Sequence, residues 1–115
     1  MHLDEYARGI ALFNQARFFE SHEVLEDMWR AAPAAEKKFL QGMVQTAVAF
    51  HHYSTGNRVG MRSVLDRAIG NLAEDPGRFG EVDLPLLRKS LNQWREAMDK
   101  ERPLPPLPRI ELLQP

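Results

Sequence analysis

Three observations predict an all-α domain. Apolar residues recur at the spacing of a helix, and no segment sustains the period-two alternation of a half-buried strand. Proline and glycine, at Pro33, Gly56 and Pro76, divide the chain into segments of helical length. A length of 115 residues suits one domain with a single core. We therefore predict a compact bundle of about five helices.

The first two predicted helices lie before Pro33. Asp4 is a residue type that caps helices, so the first helix is expected to start there and to run to about Gln15. The second runs from Phe18 to about Ala32, with its apolar stripe supplied by Leu25, Met28 and Trp29. Pro33 then ends it, because proline cannot continue a helix.

The third predicted helix runs from about Ala34 to about Ser54 and stops at Gly56. Between Phe39 and Phe50 it is apolar on nearly every side, which is typical of a central, buried helix. This helix is therefore expected to form the middle of the bundle.

Two more helices complete the prediction. Asn57 caps the fourth, whose apolar stripe consists of Met61, Val64, Leu65, Ala68, Ile69 and Leu72. A turn at Asp75-Pro76-Gly77 and an irregular connection at Phe79-Gly80 follow. Asp83, with Pro85 in the first turn, opens the fifth helix, which ends at about Lys100.

An internal echo at a spacing of 40 residues indicates how the helices pack. It aligns the pairs Gly9/Ala49, Ala16/Gly56, Leu25/Leu65 and Met28/Ala68. Each copy is a helix, a short turn and a second helix, as in tetratricopeptide hairpins. Because two hairpins are too few for a solenoid, we predict a compact bundle with tetratricopeptide-like hairpin packing.

The chain is expected to comprise one helical domain, residues 1–102, and a Pro-rich tail, residues 103–115. The tail is too apolar for a free linker, so it should pack in extended form on the bundle; its apolar residues are Leu104, Leu107, Ile110, Leu112 and Leu113. The alternative is a docking peptide for an SH3-like partner.

Composition excludes several functional classes. The net charge of −1 gives no summed field that favours nucleic acid or an anionic membrane. The absence of cysteine excludes disulfides, thiolate nucleophiles and Cys-based zinc sites. An acidic N-terminus lacks the pattern of a signal peptide, and the stretch Phe39–Phe50 is too short to cross a bilayer. A cytoplasmic protein is the expectation.

The second helix carries polar residues on a face that otherwise faces the core. Glu26 lies about 40° round the helix from His22, and Trp29 lies about 20° to the other side, next to Phe18 and Leu25. A buried imidazole beside a buried carboxylate is either a structural pair or part of a site. His22 and Glu26 therefore mark the candidate site.

The central helix offers partners for this face. Gln41, Gln45 and His52 lie within about 40° of one another, whereas His51 points to the other side. A short turn at Pro33 makes the second and third helices antiparallel neighbours, so these faces can meet. Unpaired, such buried groups cost about 1 to 3 kcal/mol each, so we predict an interhelical polar cluster that is structural or holds a small polar ligand.

A divalent metal is the alternative at this face. His22 and Glu26 are potential ligands one helical turn apart, and His51 or His52 could supply a third. Such ligands suit zinc, iron or manganese, with Glu23 or Glu26 as a candidate general base. However, the zinc-protease motif needs a second histidine where this chain has Glu26, and amides such as Gln41 and Gln45 are weak metal ligands.

Three sequence blocks resemble a known family. Residues 18–30 read FFESHEVLEDMWR, residues 39–45 read FLQGMVQ and residues 56–60 read GNRVG. In this order they resemble the prokaryotic family called domain of unknown function 309, over about Tyr6 to Leu72. The resemblance implies a small all-helical bundle and a predicted metal-dependent hydrolase activity. Carried over by motif position, the polar positions of that family correspond to His22, Glu23, Glu26, Trp29, Gln41, Gln45, Asn57 and Gly60.

Two functional hypotheses follow. The first is a small helical binding or interaction module, either monomeric or homodimeric, in which the His/Glu/Gln cluster fixes the core or holds a small polar ligand. The second is a metal-dependent hydrolase centred on His22 and Glu26, with His52 as a further candidate ligand. Neither a Ser-His-Asp arrangement nor a phosphate-binding loop is present in the sequence.

Overall fold

The computed structural model describes residues 3–74 and 81–113, and these form the predicted all-α architecture. The helices are α1 (Leu3–Asn14), α2 (Phe18–Ala31), α3 (Ala34–Ser54), α4 (Arg58–Asn71) and α5 (Leu84–Asp99). Within the described residues there is no β-strand, only an isolated antiparallel bridge between Val82 and Leu112. None of the helices in these ranges has both the length and the apolarity to span a bilayer.

The helix starts follow the predicted caps with one exception. The Asn57 side chain accepts a hydrogen bond from the Gly60 amide at 2.8 Å, and Asp83 accepts one from the Leu86 amide at 3.1 Å. The predicted cap at Asp4 is wrong, because α1 already includes Leu3. Asp4 lies in the first turn, where its charge favours the positive end of the helix dipole. The predicted turns at residues 75–77 and 79–80 lie outside the described residues.

Three helices end in the same way. Ala16, Gly56 and Glu101 have left-handed φ angles of 61°, 83° and 53°. At each, the following amide donates to the carbonyl five residues back, at 2.9 Å after Ala16 and at 2.8 Å after Gly56 and Glu101. This is the Schellman arrangement, which reverses the chain after a helix. The turns after Ala16 and Gly56 stand 40 residues apart, as the internal echo predicts.

The two hairpins pack through close contacts between helices. The Ser21 hydroxyl of α2 donates to the Gly9 carbonyl of α1 at 2.7 Å. A methyl group on Gly9 would lie only 3.0 Å from Leu25, and one on Gly42 would lie 2.7 Å from Leu72. Glycine thus permits a close approach of α1 to α2 and of α3 to the end of α4, and a side chain at Gly42 would require Leu72 to move.

A chain of aromatic side chains joins the hairpins to α5. The ring of Phe13 lies 5.1 Å from Phe18 and 6.0 Å from Phe50, and Trp94 of α5 lies 5.1 Å from Phe50 and 5.0 Å from Tyr53. Edge-to-face packing of this kind adds about 0.5 to 1.5 kcal/mol per pair beyond burial. The predicted central helix, α3, supplies Phe50 and Tyr53, and so lies against both neighbours.

After α5 the chain is held against the bundle by several hydrogen bonds. The Trp94 indole donates to the Pro106 carbonyl at 3.0 Å, and the Asp83 amide donates to the Glu111 carbonyl at 2.8 Å. The side-chain amide of Asn14 binds the backbone of Ile110 twice, because its nitrogen donates to the Ile110 carbonyl and its oxygen accepts from the Ile110 amide.

Candidate functional site

The polar face of α2 holds a paired imidazole and carboxylate. His22 Nε2 lies 3.0 Å from Glu26 Oε2, and the two side chains are 23% and 31% exposed. Arg30 Nη2 donates to Glu26 Oε1 at 3.3 Å. Both oxygens of this carboxylate are thus engaged, and the pair lies at the surface rather than in the core.

Phe19 connects this pair to α3. Its side chain is 51% exposed, and its ring lies 5.7 Å from that of His22 and 5.4 Å from that of His51. The His51 ring in turn lies 6.2 Å from that of His52. Phe19, His22, Glu26, His51 and His52 form a surface between α2 and α3, called here the Phe19 face.

The two glutamines lie away from this face. Gln45 is half-buried and accepts a hydrogen bond from Asn71 of α4 at 2.7 Å, whereas Gln41 is exposed. Gln45 therefore joins α3 to α4, and no contact among the described residues brings it to His22. His52 is half-buried, and its Nδ1 lies 3.4 Å from Asn57 Nδ2.

Trp29 and Glu23 also have separate surroundings. Trp29 is half-buried, with the Lys37 ammonium 5.0 Å above its ring and 3.1 Å from its carbonyl oxygen. Cation and ring at this distance attract each other. Glu23 is exposed and lines a groove of about 560 Å³ between α1 and α2, together with Arg8 and Asp27.

Sequence reasoning missed Phe19, and a signal for it was present. Phe18 and Phe19 are adjacent on one helix, so their side chains point about 100° apart and cannot both face a narrow core stripe. Phe18 is buried among Phe13 and Phe50, which leaves Phe19 at the surface. His51 was placed on the other side of α3 from the glutamines, and that side is the one that meets α2.

The side chains of the Phe19 face do not provide the three ligands of a metal site in this arrangement. His22 and Glu26 supply two donors from one helix. Within residues 3–74 and 81–113, no group of three or more His, Cys, Asp or Glu side chains is close enough to hold a metal ion. The arrangement of this face thus offers imidazole nitrogens beside an exposed aromatic ring.

A second charged cluster lies between α4 and α5. Arg62 binds Asp66 at 2.8 Å and Asp99 at 2.7 Å, and Arg95 binds Asp66 at 3.0 Å. The hydrogen bond from Arg95 lowers the pKa of Asp66, and the one from Arg62 lowers the pKa of Asp99. These four side chains, the Arg62 ladder, are charged groups paired with one another.

Comparison with known proteins gives a family and two relatives. The model of a family described as Domain of unknown function (DUF309) matches residues 6–64. An uncharacterized protein of Aquifex aeolicus (strain VF5) is 29% identical over 82 residues, which cover 70% of this chain and 25% of that protein. The uncharacterized protein YpuF of Bacillus subtilis (strain 168) is 30% identical over 94 residues, which cover 71% of this chain and 54% of that protein. The chain thus spans about a quarter and about half of these relatives.

Proposed function

The chain belongs to the DUF309 family, and we propose that it is a small helical binding module that holds a small polar ligand at the Phe19 face. One observation carries the proposal: a half-exposed Phe19 ring lies between the imidazoles of His22 and His51. The family description and the two relatives assign no activity, so the proposal rests on the residues themselves.

The chemistry of the face defines the ligand class. Covering an exposed aromatic ring with an apolar or planar group is favourable, because apolar surface is removed from water. An imidazole ring nitrogen donates or accepts a hydrogen bond according to its protonation state. A small molecule with a planar part over Phe19 and an acceptor group toward His22 or His51 satisfies both.

A purely structural role for the His22–Glu26 pair predicts a larger change in the free energy of unfolding on mutation. The His22–Glu26 pair is a half-exposed pair within one helix, and such pairs contribute about 1 kcal/mol or less. We expect His22→Ala to lower the free energy of unfolding by no more than that. A loss of several kcal/mol on chemical denaturation would instead assign the pair to the core and would contradict the proposal.

Ligand mapping by NMR tests the proposal directly. Isotope-labelled protein is titrated with acetate, benzoate and inorganic phosphate, and the ring and amide signals are followed. We expect benzoate to bind more tightly than acetate, because its ring covers Phe19, with the largest shifts at Phe19, His22 and His51. Shifts that cluster elsewhere, or none with any probe, would overturn it.

Two variants control for exposed apolar surface in general. Phe19 is 51% exposed in α2, and Val59 is 85% exposed in α4, at a distance of 40 residues in sequence. We expect Phe19→Ala to abolish the benzoate shifts and Val59→Ala to leave them unchanged. Equal losses in both variants would show that the binding is not specific to this face.

A divalent metal, and with it hydrolase activity, is the alternative for the same residues. As placed, His22 and Glu26 provide two donors, fewer than the three protein ligands of a catalytic zinc site. Elemental analysis of protein purified without chelators tests this alternative. Near-stoichiometric zinc, iron or manganese that His22→Ala removes would favour the hydrolase.

For partners and location, we propose a cytoplasmic protein that does not bind nucleic acid. The net charge of −1 and the absence of cysteine support this assignment. Filter binding to single-stranded and double-stranded DNA and RNA at low salt tests the first part, since electrostatic binding is strongest there. Retention of nucleic acid at low salt would contradict it.

A further inference from the structure

The tail is held by groups that bind its backbone. Asn14 Nδ2 donates to the Ile110 carbonyl at 3.0 Å, and Asn14 Oδ1 accepts from the Ile110 amide at 2.8 Å. Nearer α5, the Trp94 indole donates to the Pro106 carbonyl at 3.0 Å. The Ile110 side chain is 1% exposed and belongs to the core. These contacts define a tail groove that runs from Trp94 to Asn14.

The contacts that define the tail groove are made to the tail itself and not to the segment that joins the tail to α5. The side-chain amide of Asn14 and the indole of Trp94 both bind backbone groups of the tail, as proteins do when they recognise an extended peptide. Ile110 adds a single buried apolar anchor. The same segment from a second copy of the chain presents identical groups to the groove.

The connection between α5 and the tail is strained. Glu101 has a φ of 53°, which lies in the left-handed region. This conformation is unfavourable for a residue with a side chain but not for glycine. Pro103 follows two residues later and prevents α5 from continuing as a helix. Short hinge loops under strain favour the exchange of segments between protomers.

The tail is also stiff enough to reach a neighbour. Its four prolines between residues 103 and 108 favour the polyproline II conformation, which extends by about 3.1 Å per residue. Pro103, Pro106, Leu107 and Arg109 are exposed there, whereas Pro108 and Ile110 are buried. Part of the tail thus faces solvent while Pro108 and Ile110 face the bundle.

From these observations we propose that two copies of this chain exchange their tails, so that residues 103–113 of one copy occupy the tail groove of the other. The exchange keeps every tail contact and relieves the strain at Glu101 in both copies. The dimer is therefore concentration-dependent, with the monomer as its closed form. It does not depend on the ligand proposed for the Phe19 face.

Complementation between two defective chains tests the exchange. Asn14→Ala removes the clamp but leaves the tail intact, and Ile110→Asp spoils the anchor but leaves the groove intact. The two full-length variants, with tags of different mass, are mixed at high concentration and analysed by native mass spectrometry. We expect a heterodimer in the mixture that exceeds the homodimer of either variant. A mixture that stays monomeric would overturn the proposal.

A second measurement does not depend on either variant folding well. The chain has no cysteine, and Ser90 and Leu107 line the same cavity of about 220 Å³ beside Trp94. Chains with Ser90→Cys and chains with Leu107→Cys are mixed, held at high concentration and oxidised. We expect a disulfide between the two kinds of chain, formed far more than in a mixture of Leu107→Cys with Val59→Cys. Equal yields would contradict an exchange of tails.

The hinge provides a matched pair of variants. Glu101→Gly relieves the strain of the closed turn at both hinges of the dimer, so it should raise the dissociation constant of the dimer by about thirtyfold or more. Ala16→Gly relieves the same strain in the turn between α1 and α2 and should leave that constant unchanged. Analytical ultracentrifugation measures both. Identical constants for Glu101→Gly and the unmodified chain would exclude Glu101 as the hinge.

Discussion

Helices α2 and α4 occupy equivalent places in the two hairpins, and the same two positions in each carry an ion pair. His22 and Glu26 lie 3.0 Å apart in α2, and Arg62 and Asp66, each 40 residues later, lie 2.8 Å apart in α4. In both helices the pair spans one turn. The backbone thus repeats the position, while the chemistry differs.

What surrounds each pair separates their roles. Asp99 and Arg95 of α5 complete the pair in α4, so that every charge of the Arg62 ladder has a partner on another helix. Beside the pair in α2 lies the aromatic ring of Phe19 from the same helix, and against that ring lies the imidazole of His51 from α3. An arginine only donates hydrogen bonds, whereas the two ring nitrogens of an imidazole can donate or accept them.

The comparison indicates a structural role for the Arg62 ladder and a ligand site at the Phe19 face. Charged groups that are paired across two helices hold those helices together and leave little to bind a ligand. Imidazoles next to a half-exposed phenylalanine leave hydrogen-bonding capacity and apolar surface at one place. The polar residues of α2 are for this reason the better candidate, and those of α4 are structural.

The shared framework predicts the largest effect. Leu25 in α2 and Leu65 in α4 are both fully buried at equivalent positions. We expect Leu25→Ala and Leu65→Ala each to lower the free energy of unfolding by about 2 to 5 kcal/mol, because each leaves a cavity. Chemical denaturation measures both. A loss below about 1 kcal/mol in one of them would show that the hairpins are not equivalent in packing.

The turns predict a smaller effect of opposite sign. Ala16 and Gly56 both have left-handed φ angles, and a side chain on Gly56 would meet no atom within 4 Å. Ala16→Gly should raise the free energy of unfolding by about 1 kcal/mol, and Gly56→Ala should lower it by a similar amount. Thermal and chemical denaturation of the two variants should therefore shift in opposite directions. Shifts of the same sign would contradict the shared turn geometry.

The Arg62 ladder predicts a dependence of stability on pH. The folded state lowers the pKa values of Asp66 and Asp99, so their contribution is complete above the ordinary aspartate pKa of about 3.9. It is lost as the pH falls below that value, because the unfolded chain takes up protons first. Arg62→Gln should reduce this loss of unfolding free energy at acid pH, as measured by chemical denaturation at several pH values. Lys89→Gln, which changes an exposed lysine of α5, should not reduce it. An equal dependence on pH in both variants would assign the effect to net charge alone.

The helices could be predicted from the sequence because local signals agree with the packing. Prolines, glycines and the caps at Asn57 and Asp83 marked the ends, and helical periodicity marked the buried faces. Asp4 was misleading, because a capping residue type is equally favourable in the first turn of a helix. The left-handed Ala16 was seen only as an echo of Gly56, since alanine carries no local signal for that conformation.

The candidate site could be predicted only in part. The pairing of His22 with Glu26 follows from helical spacing alone. Which face of α3 meets α2 does not, because α3 is apolar on most sides and a helical wheel cannot rank them. As a result Gln45, expected near His22, binds Asn71, and His51 lies against Phe19.

The affinity for benzoate in two matched variants tests the central claim most directly. His22→Gln and Arg62→Gln change equivalent positions of α2 and α4. Each replaces a basic side chain by a neutral amide. We predict that His22→Gln weakens benzoate binding roughly fivefold in an NMR titration, while Arg62→Gln leaves the dissociation constant unchanged. Equal effects, or a larger one for Arg62→Gln, would contradict the assignment of the ligand site to the Phe19 face.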